Sequence, residues 1–150
     1  MIYAKNKKAL FDYEILKKVE AGLVLDGQEV KSIRKGGIKL VGAHVVFYKD
    51  EPFLLNAHIS KYTYAGPLPN YDPNRTRKLL LKKKEIAYLR AKSQERGLTI
   101  VPLSVYTSGR RIKVEIGVAK GKKKHDKREA IKGREAKRQT ARALKGNYTD

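Results

Sequence analysis

The sequence predicts a mainly β protein: an OB-like Greek-key antiparallel barrel with two or three short helices, followed by a basic C-terminal tail. Three observations carry that reading. Ile112, Val114, Ile116 and Val118 alternate with Lys113, Glu115, Gly117 and Ala119, the two-residue period of a half-buried strand. Several other short apolar runs up to Val118 are bounded by turn residues. Beyond Val118 only Ile131, Leu144 and Tyr148 are large and apolar, too little to offset the entropy of ordering the segment by itself. The expected division is therefore a barrel over residues 1–119 and a tail over 120–150, disordered when free.

The elements follow in order. Tyr13 to Leu25 is a long apolar-rich stretch, with Gly22 as a bend or bulge. Asp26 or Gly27 caps a short helix through Val30 and Ile33, ended by Gly36-Gly37. Val45 to Tyr48 and Phe53 to Ile59, split by Asp50-Glu51-Pro52, read as a hairpin. Ala65 to Asn74, with three prolines, is a loop. A second helix runs from about Lys82 to Arg96, with Ile86 and Leu89 inward and Gly97 as its stop. Leu98 to Tyr106 then pairs with the alternating strand through the turn Thr107-Ser108-Gly109-Arg110. Pro102 cannot donate to a ladder, so it marks an edge or a bulge.

Charge narrows the function classes. Thirty-five Lys and Arg face 15 Asp and Glu, a net charge of +20. Such a surplus repels itself unless a polyanion is the usual partner. Residues 118–150 hold 12 cations and 4 acids; the remainder holds 23 and 11. No apolar run approaches the roughly 18–20 residues of a spanning helix, and Met1 to Leu10 lacks the apolar core of a signal peptide. The absence of cysteine fits a reducing cytosol and excludes thiolate metal sites. A soluble, cytoplasmic nucleic-acid binder is the expectation, with an anionic membrane surface as the rival.

The residues offer no catalytic constellation. His44, His58 and His125 lack a second histidine at metal-ligand spacing, no serine sits in a nucleophile-elbow context, and no carboxylate pair stands out. Gly117-Val118-Ala119-Lys120-Gly121-Lys122-Lys123 imitates a phosphate loop, but three residues separate its glycines where four are needed, and Lys123 replaces the hydroxyl. The reading is no enzyme, no metal and no cofactor. Arg75-Thr76-Arg77-Lys78 is either a set of phosphate contacts or an ordinary solvated charge run. In Lys120 to Arg128 a ring beside cations suits base stacking with phosphate contacts, and the plainer alternative is a nonspecific polybasic arm.

Five motifs in order carry a resemblance: Asn6-Lys7-Lys8-Ala9 with Asp12-Tyr13; Glu20-Ala21-Gly22-Leu23-Val24-Leu25; Gly27-Gln28-Glu29-Val30-Lys31-Ser32-Ile33-Arg34; Asp72-Pro73-Asn74-Arg75-Thr76-Arg77-Lys78-Leu79-Leu80-Leu81; and Gly121-Lys122-Lys123-Lys124-His125-Asp126-Lys127-Arg128. From Asn6 to Arg128 the chain resembles the SsrA-binding protein (SmpB) family. The resemblance implies trans-translation, the rescue of ribosomes stalled on messages without a stop codon. The barrel is then expected to hold the tRNA-like domain of transfer-messenger RNA and to enter the vacant A site with elongation factor Tu carrying GTP. The protein fills the place of the missing anticodon arm, as a monomer, with its tail folding as a helix in the decoding centre and empty message channel.

By resemblance, Asn6, Glu20 and the segment Arg77 to Leu81 face the tRNA-like domain, with Leu79 to Leu81 partly core. Lys7, Phe11, Lys31, Arg34, Arg75, Lys78 and Leu80 join that surface. Glu20 repels phosphate, so it accepts from a base edge, orients a neighbouring cation, or is structural. Phe11 stands where the family commonly has His, keeping a stacking face and losing polar readout. In the tail Lys122, Lys123, Lys124, His125, Asp126, Lys127 and Arg128 are the ribosome-facing set: His125 stacks, Lys127 and Arg128 hold phosphate, and Asp126 contacts RNA or caps the tail helix. Two rivals remain, a ribosomal or RNA-chaperone protein and an RNA-processing enzyme; the first leaves the ordered motifs to coincidence, and the second lacks acid, base and metal.

Overall fold

The computed structural model describes residues 1–122; the expected helical tail and its residues from Lys123 to Arg128 lie outside them. The elements are β1 (Ile2–Lys5), α1 (Lys7–Asp12), β2 (Tyr13–Leu23), α2 (Gly27–Arg34), β3 (Ile38–Lys39), β4 (His44–Tyr48), β5 (Glu51–Leu55) and β6 (His58–Ile59). After a short 3₁₀ turn at Thr63–Ala65 come β7 (Arg77–Leu80), α3 (Lys83–Ser93), β8 (Leu98–Ser108) and β9 (Arg111–Gly121). Seven strands form one antiparallel sheet in the order β1-β8-β9-β2-β7-β5-β4, and β3 pairs with β6. The sheet curls until β4 packs on β8, which encloses the core without a hydrogen-bonded seam. The expected mainly β, antiparallel barrel with two or three short helices is the observed architecture, with three helices.

The hairpin of β8 and β9 is the longest local unit. Ile112, Val114, Ile116 and Val118 turn inward as their alternation requires, and Ser108 faces Arg111 across a two-residue turn. Gly109 opens that turn at φ 62°, the backbone a two-residue hairpin needs there. Pro102 sits where the register shifts before Ser104, so the bulge alternative is realised. The second hairpin turns one residue earlier than expected. Lys49 and Asp50 carry the positive φ angles of 52° and 63°, while Glu51 and Pro52 already belong to β5. The run expected as one strand from Phe53 to Ile59 breaks at Asn56, φ 61°, and its end becomes β6 in the small sheet.

Strand β2 is the spine. Its bulge falls between Ile15 and Lys17, not at Gly22. Gly22 instead pairs with both Lys113 and Leu80, and a Cβ placed there would lie 3.3 Å from Leu80 Cβ. The glycine thus lets two strands close on β2 from opposite sides. Asp26 is the residue that caps α2: its side chain accepts from the Glu29 amide at 2.9 Å, and Glu29 accepts from the Asp26 amide at 3.1 Å. Helix α3 buries Leu89 fully and Ile86 partly; it ends at Ser93, before the Arg96 expected, and the chain turns through Gly97 at φ 82°.

The interior holds Ile33, Leu54, Ile59, Leu79, Leu89, Ile100, Val105 and the inward face of β9. A second, smaller cluster lies on the opposite face of the sheet. There Ala9 of α1 covers Val101, Leu103 and Ala119, with Tyr13 and Ile15 at its margin. Gly117 belongs to β9, which runs to Gly121, so both glycines of the phosphate-loop imitation lie in a strand. A Cβ on it would meet Leu103 Cδ1 at 2.9 Å and Ile15 Cγ2 at 3.0 Å. Gly117→Ala should destabilise the fold by about 1–3 kcal/mol, as overpacking does. Urea unfolding should show a lower midpoint at an unchanged slope; a wild-type midpoint would contradict the packing argument.

Candidate nucleic-acid interface

The expected cations divide into buried ties and exposed contacts. On β7 the strand period sends Arg77 and Leu79 inward and Lys78 and Leu80 outward. Arg77 is 0% exposed. Its guanidinium donates to Glu29 Oε2 from Nε at 3.1 Å and from Nη2 at 2.6 Å, and Nη1 donates to the Ala57 and Pro73 carbonyls at 2.7 and 3.0 Å. Arg75 is half-buried and donates to both oxygens of the same carboxylate, Nε to Oε2 at 3.1 Å and Nη2 to Oε1. Tyr71 donates its hydroxyl to Glu29 Oε2 at 3.0 Å. Arg77 therefore has no surface to offer a phosphate, and the solvated-charge alternative fails for it as well: it is a structural cation.

Asn6 is also a pin. It is 3% exposed. Its Oδ1 accepts from the Ala9 amide, capping α1, while Nδ2 donates to the Leu40 and Pro102 carbonyls at 3.3 and 2.9 Å. Every part of the amide is thus engaged inside the protein. Its neighbour Lys7 is exposed on α1, and Phe11 is half-buried with the Lys122 ammonium 6.0 Å from its ring centroid. Phe11 and Lys122, the first of the expected ribosome-facing cations, are brought together at the end of β2 where Tyr13 pairs with Gly121.

The other exposed residues lie at the opposite end. Leu80 is 52% exposed and leans on Gly22. It lines an open groove of about 260 Å³ with Leu25, Val30, Arg110 and Lys113. Arg34 reaches the rim of that groove by donating to the Arg110 carbonyl at 3.3 Å, and Lys31 stands exposed three residues earlier on α2. Lys78 is exposed, paired with Glu51 at 2.5 Å. Nine residue steps along β2 carry the chain from Tyr13 to Gly22, roughly 30 Å of strand. Two cationic surfaces result, one around Phe11 and Lys122, the other around Leu80, Arg34 and Lys31.

Glu20 lies on the outer face of β2, opposite Glu115 of β9. Tyr106 donates its hydroxyl to Glu20 Oε2 at 2.5 Å. Burial, the hydrogen bond to Glu20 and the charges of Glu20 and Glu115 push the Tyr106 hydroxyl above its ordinary value. The tyrosine thus remains a donor and fixes the carboxylate. Like charges facing across a ladder are unfavourable, so this pair does not stabilise the β2–β9 pairing.

Known proteins match along nearly the whole chain. The family model for SmpB protein matches residues 3–146. The chain belongs to the SmpB protein family. An SsrA-binding protein of Acaryochloris marina is 51% identical over 144 residues, covering 96% of this chain and 94% of its own. One from Cupriavidus necator is 50% identical over 150 residues, covering both chains completely. A solved chain described as "tmRNA-SmpB: a journey to the center of the bacterial ribosome" is 42% identical, with a TM-score of 0.69, over 87% of this chain and 94% of that one. The SmpB match includes both surfaces at the ends of β2. Among the described residues no group of three or more His, Asp or Glu side chains gathers at a metal site, and no helix is long and apolar enough to cross a membrane.

Sequence reasoning missed Glu29, Tyr71 and Tyr106, although each organises a residue it named. Glu29 left one trace: Asp26-Gly27-Gln28-Glu29 has capping-box spacing. Tyr106 and Glu20 are 86 positions apart, and no local pattern joins them.

Burial alone would raise the Glu29 carboxyl, but hydrogen bonds from Arg75, Arg77 and the Asp26 amide, with the charge of Arg77, hold it at about 2 instead of 4.5. The folded-state value is depressed, so its stabilising contribution is present above about pH 4.5 and is lost as pH falls toward 2. Glu29→Gln should cost about 3–5 kcal/mol by leaving Arg77 buried without its counter-ion. It should also flatten the dependence of urea stability on pH between 4.5 and 2. Equal pH profiles for the two proteins would refute this assignment.

Proposed function

We propose that this chain binds the tRNA-like domain of transfer-messenger RNA and carries it to stalled ribosomes for trans-translation, acting by binding and not by catalysis. The observation that carries the reading is the SmpB family match over residues 3–146, which spans the barrel and most of the basic tail. The net charge of +20 suits a polyanionic partner, and the relatives named for SsrA binding supply its identity.

The surface geometry supports a division of labour. Leu80, Arg34, Lys31 and Lys78 offer an apolar contact flanked by cations, the chemistry of a folded RNA's sugars, bases and phosphates. Glu20, held by Tyr106, presents a fixed acceptor, and the amino or imino N–H groups of a base edge are its natural donors. Arg77, Asn6 and the paired part of Arg75 act from beneath, setting β7 and α1 in place. The far surface, with Phe11 and Lys122, leads into the tail. In this reading Lys123, Lys124, His125, Asp126, Lys127 and Arg128 follow it toward the decoding centre and the message channel, which lack messenger RNA. Ribosomal phosphates left exposed there attract a cationic segment that folds on binding. Elongation factor Tu with GTP joins through the RNA, the protein acts as a monomer, and its place of work is the cytoplasm.

The test compares the full chain with one ending at Lys122, which retains β9 entire. Binding to the tRNA-like fragment across a salt series and peptide tagging on stalled ribosomes are the two readouts. The truncated chain should keep fragment binding and lose tagging. Loss of fragment binding as well would make the tail the main RNA anchor and defeat the division. A companion pair separates scaffold from contact: Lys78→Ala should leave thermal stability near wild type and reduce the salt slope of binding by about one, whereas Arg77→Ala should lower stability by about 3–5 kcal/mol. The reverse pattern would overturn the assignment.

A further inference from the structure

Between β6 and β7 the chain runs from residue 60 to 76 with no regular element beyond a single 3₁₀ turn. Connections of that length in a compact domain are uncommon and usually have a task. This one is tied down by polar bonds. Ser32 Oγ donates to the Ser60 carbonyl at 2.6 Å, the Tyr62 amide donates to Gln28 Oε1 at 2.7 Å, and Lys61 Nζ donates to the Gly66 carbonyl at 2.8 Å. Further along, the Tyr71 hydroxyl lies 2.8 Å from the Ile59 carbonyl and 3.0 Å from Glu29 Oε2, its one proton shared between these acceptors, and Arg77 holds the Pro73 carbonyl. So much anchoring fixes the loop, yet its outward residues bury little. Tyr64 is 81% exposed.

The exposed ring is not isolated. Tyr62 meets Tyr64 edge-to-face at 5.6 Å and 68°, and Lys31 lies 5.8 Å from the Tyr62 ring centroid. A tyrosine steadied by a second ring and bordered by cations is the arrangement that stacks an unpaired base while lysines meet the neighbouring phosphates. A ring held in place loses little entropy when a base stacks on it. Lys31 also precedes Arg34 by one helical turn, and Arg34 reaches the groove lined by Leu80 through the Arg110 carbonyl. The tyrosines therefore extend the same cationic surface.

We infer that Tyr62 and Tyr64, with Lys31, form a stacking platform for an unstacked nucleobase of the tRNA-like RNA. This rests on the proposed function and adds a contact that neither the family match nor the sequence motifs assign. Stacking is carried by the π-face, so the platform is indifferent to which base it meets and its energy is largely independent of salt.

The full chain, Tyr64→Ala, Tyr64→Phe and Lys31→Ala are titrated with the tRNA-like fragment, with purified ribosomes and with a single-stranded oligoadenylate, each over a salt series. Thermal unfolding confirms that each variant folds. Tyr64→Ala should weaken fragment binding roughly fivefold to a hundredfold at every salt concentration, and Tyr64→Phe should restore it. Lys31→Ala should instead reduce the salt slope by about one. If Tyr64→Ala binds the fragment as wild type does but loses ribosome affinity, the platform reads ribosomal RNA and the inference about its source is overturned. If every RNA binds normally while tagging falls, the loop meets a protein and the platform is refuted. Failure of the wild-type chain on the fragment would instead defeat the proposed function. The oligoadenylate comparison then judges the platform alone, with equal binding by wild type and Tyr64→Ala counting against it.

Discussion

The Glu29 carboxylate is the point on which the surrounding architecture depends. It sits on α2, fully buried, and takes donors from the Asp26 amide, Arg75, Arg77 and Tyr71. Through Arg77 it fixes the start of β7 and the carbonyls of Ala57 and Pro73, and through Tyr71 it reaches the Ile59 carbonyl. A lone carboxylate or guanidinium at this depth would face a desolvation penalty of several kcal/mol; together they offset it only because nearly every lone pair and N–H is used. An apolar pair of equal volume could match the stability. It would not direct the peptide groups of a seventeen-residue loop, for which a forked cation and a two-oxygen acceptor supply geometry.

That tie explains how a conspicuously basic motif serves two ends. Within Arg75-Thr76-Arg77-Lys78 the strand period places Arg77 in the core and Lys78 in solvent. Arg75 stands between, its head on Glu29 and part of its side chain open. Adjacent cations therefore face different dielectric surroundings, and only the outward ones add to the field met by an approaching RNA. Strand β2 makes a comparable separation on a larger scale, with Leu80 and Arg34 near one end and Phe11 and Lys122 near the other. Under the proposed function the two contacts must lie apart, and a single strand supplies the distance.

What could be read from the sequence was what local periodicity or capping determines. The alternation of β9, the turn at Gly109 and the cap at Asp26 all follow from neighbours in the chain. The short strands β1, β3 and β7 exist because distant partners pair with them, and four residues such as Arg77–Leu80 carry too brief a pattern to announce a strand. Gly22 was noticeable as a glycine, but its reason, the approach of Leu80 from β7, is tertiary. The same limit applied to the interface. Composition and motif order pointed to a polyanion partner and to candidate cations, while the burial of Asn6 and Arg77 depends on contacts 34 to 96 positions away for the first and 48 for the second.

The acidic residues show how the charge surplus survives folding. In the described part Asp12, Glu51, Asp50 and Glu95 pair with single lysines or arginines, and Asp26, Asp72 and Glu85 accept from backbone amides at caps and turns. Glu29 is spent inside. Few carboxylates are left to neutralise the outer face, and exposed one-to-one pairs contribute little stability of their own. Glu20 departs from this pattern, being exposed, held by a neutral tyrosine and set opposite another carboxylate. A negative group on an otherwise cationic surface lowers affinity for RNA in general. Under the proposed function, specific donors would offset what it loses to the backbone charge, and base-edge N–H groups are donors an RNA provides. Under the proposed function the cations would attract any RNA, and Glu20 would supply the discrimination.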